Sequence, residues 1–270
     1  MNLKQWLEVS IMAARSAGAL MRKNLRAVKK VNAHTAHDVK LELDVRCQKL
    51  IERILGDAFP DVAFLGEEGS AGDANAPYRW VVDPIDGTVN FSHGIPHACV
   101  CIALQEMGKT SKTRLPKGQP SDPYQTVLGL IYDPFQDELW TATRTDSARL
   151  NGRVIEVSNR TRLEDAICVM GYGKNDAMIR ESLPLFGKLT LRCRKLRNMG
   201  SAGLGLAYVA CGRFDAYIER GVSLWDIAAG GFIIERAGGE FWHEPLGNQD
   251  GFRLIANNGH LRRKIESLAK

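Results

Sequence analysis

Apolar residues occur along this chain in two kinds of pattern, one helical and one extended. Within residues 2–25 and 44–55 they recur at the spacing of an amphipathic helix. Other apolar runs are short and almost continuous, which is typical of strands buried on both faces. We predict strands at residues 62–65, 80–83, 98–104, 126–132, 138–143, 166–170, 189–196, 214–219 and 252–256. Further helices are predicted at residues 176–187, 204–210, 225–235 and 260–270.

Polar segments and turn residues indicate how these elements are grouped. Residues 28–40, 69–77 and 109–120 are predicted loops, and Asn151-Gly152 is a hairpin turn signal. From about residue 165 strands and helices alternate, which predicts an α/β lobe. We therefore expect residues 1–270 to form a single domain of two lobes, an α+β lobe at about 1–146 and an α/β lobe at about 147–270.

The composition narrows the possible functions without selecting one. The chain has 270 residues, 44% of them hydrophobic, which is enough for a large core. The formal net charge of +5 permits an anionic ligand, but no basic stripe with interleaved aromatic residues indicates nucleic acid. We expect neither a membrane span nor a secretory signal. The six cysteines form no Cys-x-x-Cys pair and are expected to be reduced thiols of a cytoplasmic protein.

The strongest chemical signal lies where the strand at residues 80–83 ends. Asp83 and Asp86 follow its apolar run, and no Lys or Arg stands between them. Two such carboxylates repel each other unless a cation is bound, and oxygen ligands suit hard divalent ions. Gly87 and Thr88 then open a helical turn whose backbone N–H groups suit a phosphate. The local chemistry is therefore that of a metal ion and a phosphate.

Three motifs in order carry a family resemblance. Residues 83–88 with Asn90-Phe91 closely resemble the signature of the inositol monophosphatase family, and residues 66–68 and residues 225–230 with 237–239 match its other motifs. The resemblance implies a Mg²⁺-dependent, lithium-sensitive phosphatase. It also implies an α/β (layered α+β) fold, the αβαβα sandwich that the family shares with fructose 1,6-bisphosphatase. In this fold the metals would lie between the two lobes.

The resemblance also assigns roles to individual residues. Glu67, Asp83 and the backbone carbonyl of Ile85 would hold one Mg²⁺, and Asp83, Asp86 and Asp226 a second, with a third, weaker ion near Glu67. Thr88 and Asp44 would orient the attacking water, so Glu67, Thr88 and Asp44 are the predicted catalytic residues. Asp44 also stands near a helix start, where it could simply be a cap. Lys40-Leu41 replaces the Val-Thr that is common in the family at this place.

The resemblance further predicts the substrate contacts and the substrate. The predicted substrate-binding residues are Asp86, Gly87, Thr88, Gly200, Ser201, Ala202, Glu219 and Asp226. Ser201 is also a credible helix cap, whereas Glu219 matches a family carboxylate that binds a substrate hydroxyl. Inositol 1-phosphate is the expected substrate, and fructose 1,6-bisphosphate, histidinol phosphate and 3′-phosphoadenosine 5′-phosphate are alternatives. A homodimer is expected, and a member of the fold that binds RNA or a transcription factor is the alternative of another class.

Overall fold

The computed structural model describes residues 2–35, 39–108, 122–173, 175–247 and 251–269. The predicted loop at 109–120 lies outside the described residues. The α-helices are α1 (Leu3–Asn24), α2 (Glu42–Ala58), α3 (Thr88–Ser92), α4 (Asp176–Arg192), α5 (Ala202–Ala210), α6 (Leu224–Arg236) and α7 (Arg262–Ala269). The strands are β1 (Val31–His34), β2 (Val39–Leu41), β3 (Ala63–Gly66), β4 (Gly69–Ala71), β5 (Tyr78–Asp86), β6 (Cys99–Met107), β7 (Tyr124–Asp133), β8 (Glu138–Thr143), β9 (Asp146–Leu150), β10 (Arg153–Val154), β11 (Ile167–Met170), β12 (Lys195–Arg197), β13 (Ala216–Val222), β14 (Glu240–Pro245) and β15 (Phe252–Asn257).

An eight-stranded sheet with the order β10-β9-β8-β7-β6-β5-β3-β4 forms one layer of the molecule. Its pairs are antiparallel except β3 with β5, which run parallel. Helices α1 and α2 cover one face, where small residues of α1 such as Ala14 and Ala17 are fully buried. An aromatic cluster closes this layer, because Trp6 stacks on Phe59 at a centroid distance of 4.1 Å and both lie beside Trp80.

Helices α5 and α6 form the middle layer and share one core with both sheets. The second sheet has five strands in the order β12-β11-β13-β15-β14, with β11 parallel to both of its neighbours. Helices α4 and α7 pack on the outer face of this sheet around Leu189, Leu261 and Ile265. The order of the layers is therefore helices, sheet, helices, sheet, helices, which confirms the predicted αβαβα sandwich. The division into two lobes stays a prediction.

The sequence patterns located most elements correctly, but one strand was wrong. The predicted strand at 189–196 is instead the end of α4 followed by the short β12. The alternation of apolar and basic residues there is misleading, because Leu189 is buried whereas Leu191 is 86% exposed. The predicted loop at 28–40 contains β1 and β2, the loop at 69–77 begins with β4, and β14 was missed.

Three further expectations can be compared with the structure. The turn between β9 and β10 has positive φ angles at Asn151 (48°) and Gly152 (79°), which confirms the predicted hairpin. Six cysteines are free thiols, five of them buried and Cys211 partly buried. No helix in the described ranges is both long enough and apolar enough to cross a membrane.

We expect Gly129→Ala to lower the melting temperature. A Cβ on Gly129 of β7 would lie 2.7 Å from the backbone oxygen of Ala229 in α6, so sheet and helix would have to separate. Overpacking of this kind costs about 1–3 kcal/mol. Gly187→Ala is the matched control, because Gly187 is an exposed residue of α4 with nothing within 4 Å of an added Cβ. It should stabilise the protein by about 0.5–1 kcal/mol. Equal melting temperatures of the two variants would contradict this packing.

Candidate active site

The end of strand β5 places two carboxylates on the same side of the sheet. Pairing with β6 is irregular between Asp83, opposite Cys101, and Asp86, opposite Cys99, so β5 has one extra residue there. In a regular strand, residues three apart point to opposite faces, and a bulge changes this. The bulge also accommodates Pro84, which has no N–H to donate to the sheet. It therefore explains how a strand of this sequence delivers both carboxylates to one site.

The turn after β5 is fixed by close backbone contacts. Gly87 has a φ of 91°, and a Cβ there would lie 2.9 Å from the backbone oxygen of His97. The Thr88 hydroxyl donates to the backbone oxygen of Ile85 at 2.8 Å. The Asn90 amide donates to the backbone oxygen of Met199 at 2.8 Å. These contacts tie the turn to the segment that leads into α5.

Asp86 occupies the N-terminus of helix α5. Its carboxylate accepts hydrogen bonds from the backbone N–H groups of Ala202 at 3.1 Å and Gly203 at 2.8 Å, and from the hydroxyl of Ser201. The Ser201 oxygen in turn accepts from Leu204 N at 3.2 Å and caps the helix. A helix N-terminus stabilises an anion. The resemblance assigned Ser201 and Ala202 to the substrate, and in the structure a carboxylate of the protein itself already uses these donors.

Asp83, Asp86 and Asp226, which we call the carboxylate cluster, come together beside this helix. Each offers an oxygen, these oxygens all lie within 4.8 Å of one another, and all three residues are buried. Asp226 is held because Ser223 N donates to its Oδ2 at 2.6 Å at the start of α6. Asp83 Oδ1 accepts from Ile85 N at 3.0 Å. The cluster thus joins β5 to α6, far apart in the chain.

Glu67 extends the cluster from the neighbouring strand. It follows β3, and its backbone N–H donates to Val82 O at 3.2 Å. The turn is fixed by Gln48 of α2, whose Oε1 accepts from Glu68 N at 2.8 Å and whose Nε2 donates to Gly69 O at 3.1 Å. Glu68 pairs with Lys40 at 3.1 Å, so Lys40 neutralises this glutamate beside the site. Sequence reasoning missed Gln48, because its role depends on the packing of α2.

The pKa of Asp83 and the charges of the cavity lining indicate which ligand the cluster suits. Burial, first of all, and then the charges of Glu67, Asp86 and Asp226 raise the pKa of Asp83 well above its usual value. Burial likewise raises the pKa of the neighbouring Cys99 thiol. Among the described residues that line the cavity, none is Lys, Arg or His. Buried carboxylates this close together could bind a metal ion, and an all-oxygen donor set of this kind suits Mg²⁺.

These residues line a cavity of about 310 Å³. Its wall contains every predicted site residue except Asp44: Glu67, Asp83, Ile85, Asp86, Gly87, Thr88, Gly200, Ser201, Ala202, Glu219 and Asp226. Glu219 accepts a hydrogen bond from the Tyr217 hydroxyl and packs against Gly171, where a side chain would collide with it. Gly171 and Asn198 also belong to the wall, but no sequence signal marked them.

Asp44 lies outside the set of residues that line the cavity. It is almost fully buried, and its Oδ2 accepts from Leu41 N at 2.7 Å, so it caps its own helix. It precedes Gln48 by one helical turn and therefore shares a face of α2 with it. Since Gln48 holds the turn after Glu67, Asp44 is close to the site even though its local role is capping.

The fold and the carboxylate cluster together define a class, the metal-dependent phosphatases built on an αβαβα sandwich. Comparison with known proteins identifies the family within this class. The sequence model of the inositol monophosphatase family matches residues 2–112 and 122–265, and the chain belongs to this family.

Two kinds of named relative are similar to this chain. The inositol-1-monophosphatase of Synechocystis sp. is 34% identical over 270 residues, which are 98% of this chain and 88% of that protein. The Nus factor SuhB of Xylella fastidiosa is 36% identical over 239 residues, covering 87% of this chain and 81% of that protein. The crystal structure of the extragenic suppressor protein suhB from Bartonella henselae superposes with a TM-score of 0.87 at 32% identity and covers 98% of each chain. Family membership supports a phosphatase.

We expect Asp83→Asn to stabilise the metal-free protein above pH 7 and to abolish stabilisation by Mg²⁺. Because the pKa of Asp83 is raised in the folded state, the stability of metal-free wild type falls as the pH rises from about 4 through that pKa. Asparagine has no charge to bury, so the variant should lack this slope. Thermal unfolding with a chelator measures this difference.

Mg²⁺ added in the same experiment tests the metal site. At one hundred times its Kd a ligand stabilises by about 2.7 kcal/mol, which is a shift of about 5–10 °C for a chain of this size. Wild type and Asp57→Asn, an exposed control, should both show the shift. A comparable shift in Asp83→Asn would contradict the assignment.

Proposed function

We propose that the protein is a Mg²⁺-dependent phosphomonoesterase that hydrolyses inositol 1-phosphate to inositol and phosphate. The observation that carries this proposal is the carboxylate cluster at the floor of a small cavity, with Glu67 beside it and Glu219 on the wall. The carboxylate cluster and Glu67 suit a metal ion that binds the phosphate. Glu219 suits a hydrogen bond to a hydroxyl of a polyol substrate.

The proposed cation sites follow from the donor set. Glu67, Asp83 and the Ile85 carbonyl would hold one Mg²⁺, and Asp83, Asp86 and Asp226 a second, with Glu67 available to a third. When bound, Mg²⁺ supplies positive charge to the phosphate oxygens and lowers the pKa of water. Asp83 serves both sites, and Ile85 N holds its Oδ1. Asp86 is fixed by α5 and Asp226 by the start of α6, so little reorganisation is needed on binding.

The remaining wall would orient the substrate. Gly87 and Thr88 lie beside the cluster, and we assign them to the phosphate, with Thr88 also orienting the attacking water. Gly200, Ser201 and Ala202 bound the same end of the cavity and would exclude water around the phosphate. Glu219, held by Tyr217, would accept a hydrogen bond from a substrate hydroxyl. Positioning of this kind contributes much of the rate of phosphoryl transfer.

The cavity favours a monophosphate over a bisphosphate. Its volume of about 310 Å³ suits one small molecule. A second phosphate, as in fructose 1,6-bisphosphate, would require basic side chains, and the described lining residues include no Lys or Arg. We further propose that the enzyme is a lithium-sensitive cytoplasmic homodimer, as the resemblance implies.

A binding role is the second candidate. Relatives from Xylella fastidiosa and Pseudomonas aeruginosa, 36% and 37% identical, carry the name Nus factor. Such a role would need RNA or a protein partner, and it would not depend on an intact metal site. It would appear as salt-dependent RNA binding that Asp83→Asn leaves unchanged.

Phosphate release from inositol 1-phosphate tests the proposed function. We expect turnover only with Mg²⁺ and a loss of about 10²-fold or more in Asp86→Asn, because the variant removes a charge placed for the cation. Asp57→Asn, an exposed Asp-to-Asn control, should match wild type. Fructose 1,6-bisphosphate, histidinol phosphate and 3′-phosphoadenosine 5′-phosphate run in parallel. Turnover of one of these alone would replace the substrate, and no turnover at all would move the binding role to first place.

Asp44 has a test of its own. We expect Asp44→Asn to lower kcat by about 10²-fold while the melting temperature stays close to wild type. The amide oxygen can still accept from Leu41 N and cap α2, but the negative charge is gone. Phosphate release and thermal unfolding of the same sample separate the two roles. Unchanged kcat with unchanged stability would show that Asp44 is a helix cap only.

A further inference from the structure

A pair of thiols lies directly behind Asp86. Cys99 and Cys101 are two residues apart on β6 and therefore face the same side, toward the N-terminus of α5. Their Sγ atoms are 3.8 Å apart, and Cys99 Sγ is 3.4 Å from Asp86 Oδ2. Both cysteines are fully buried. A Cβ on Gly203 would lie 2.5 Å from Cys101 Sγ, so the helix has no side chain between itself and the thiols.

The spacing of these atoms matches the edges of a tetrahedral metal site. Zn²⁺ binds thiolate sulfur at about 2.3 Å and carboxylate oxygen at about 2.0–2.2 Å. Tetrahedral angles then give an S···S edge of about 3.8 Å and an S···O edge of about 3.5–3.7 Å. The corresponding distances in the structure are 3.8 Å and 3.4 Å. One oxygen or sulfur of each of Asp86, Cys99 and Cys101 lies within 4.8 Å of the others.

We propose that Asp86, Cys99 and Cys101 form a second metal site, selective for soft divalent ions such as Zn²⁺ and Cd²⁺. Thiolates select such ions, whereas the carboxylate cluster on the other side of Asp86 offers oxygen only. Binding forms two metal–sulfur bonds and one metal–oxygen bond and releases the two thiol protons to solvent. Ser201 Oγ, 3.8 Å from Cys99 Sγ and hydrogen-bonded to Asp86, offers a further oxygen beside the three ligands.

Both sites share one carboxylate. Asp86 belongs to the carboxylate cluster and to the thiol site, and it also accepts from the N-terminus of α5. A soft ion held by Asp86 therefore adds positive charge next to the Mg²⁺ position and withdraws an oxygen ligand from it. The consequence, inhibition that Mg²⁺ opposes, rests on the proposed function, whereas the existence of the site does not.

Titration of the metal-free protein with Co²⁺ tests the site without any substrate. Tetrahedral cobalt–thiolate coordination gives strong visible bands and a sulfur-to-metal charge-transfer band, and we expect both in wild type at one equivalent. Cys99→Ala/Cys101→Ala should lose the charge-transfer band. The matched control is Cys168→Ala/Cys193→Ala, which removes another pair of contacting thiols. Within the described residues that pair belongs to no group of three metal ligands, so the control should keep the band.

Each outcome decides the proposal. Weak octahedral bands alone in wild type, or a charge-transfer band that survives in Cys99→Ala/Cys101→Ala, would overturn it, and the wild-type spectrum decides even if a variant fails to fold. Cd²⁺ inhibition of phosphate release, at least tenfold weaker in Cys99→Ala/Cys101→Ala than in the control, then tests the consequence. A charge-transfer band in a protein with no phosphatase activity would keep the site and reject the proposed function.

Discussion

Repulsion among buried carboxylates is the constraint on which the rest of this structure depends. Asp83, Asp86 and Asp226 bring their oxygens within 4.8 Å of one another in a region from which water is largely excluded. The protein offsets part of this cost with backbone N–H groups: α5 donates to Asp86, α6 to Asp226 and the bulge of β5 to Asp83. The repulsion that remains among the three carboxylates would favour a bound cation.

The same donors connect the site to the fold. Helices α5 and α6 fill the space between the two sheets, and each begins at a carboxylate of the cluster. Small residues at the contacts, such as Gly129 and Gly203, allow helix and sheet to approach closely. The geometry of the carboxylate cluster is therefore set by the packing of the middle layer and not by loops alone. A site built on rigid elements keeps its ligands in place without the metal.

The sequence identified the residues that come together around the cavity better than the residues that support them. Asp83, Asp86 and Thr88 lie in one short motif, so their spacing alone indicated their chemistry. Gln48 and Gly171 could not be found in this way, because an amide that holds a turn and a glycine that makes room for Glu219 depend on partners distant in sequence. The false strand at 189–196 had the same cause: a local period of two was present, but tertiary packing selected the helix. Asp44 caps its own helix in the structure, whereas its catalytic role stays a proposal.

The cluster draws its members from β5 and α6, with about half of the chain between them. During synthesis, a nascent chain that ends before α6 contains Asp83 and Asp86 but not Asp226. The strand pairing around β5 can form early, whereas the carboxylate cluster is complete only after the last third of the chain has emerged and packed. Under the proposed function, affinity for a cation would therefore report the completion of folding, and an ion bound at that moment would stabilise the finished molecule over every partly synthesised one.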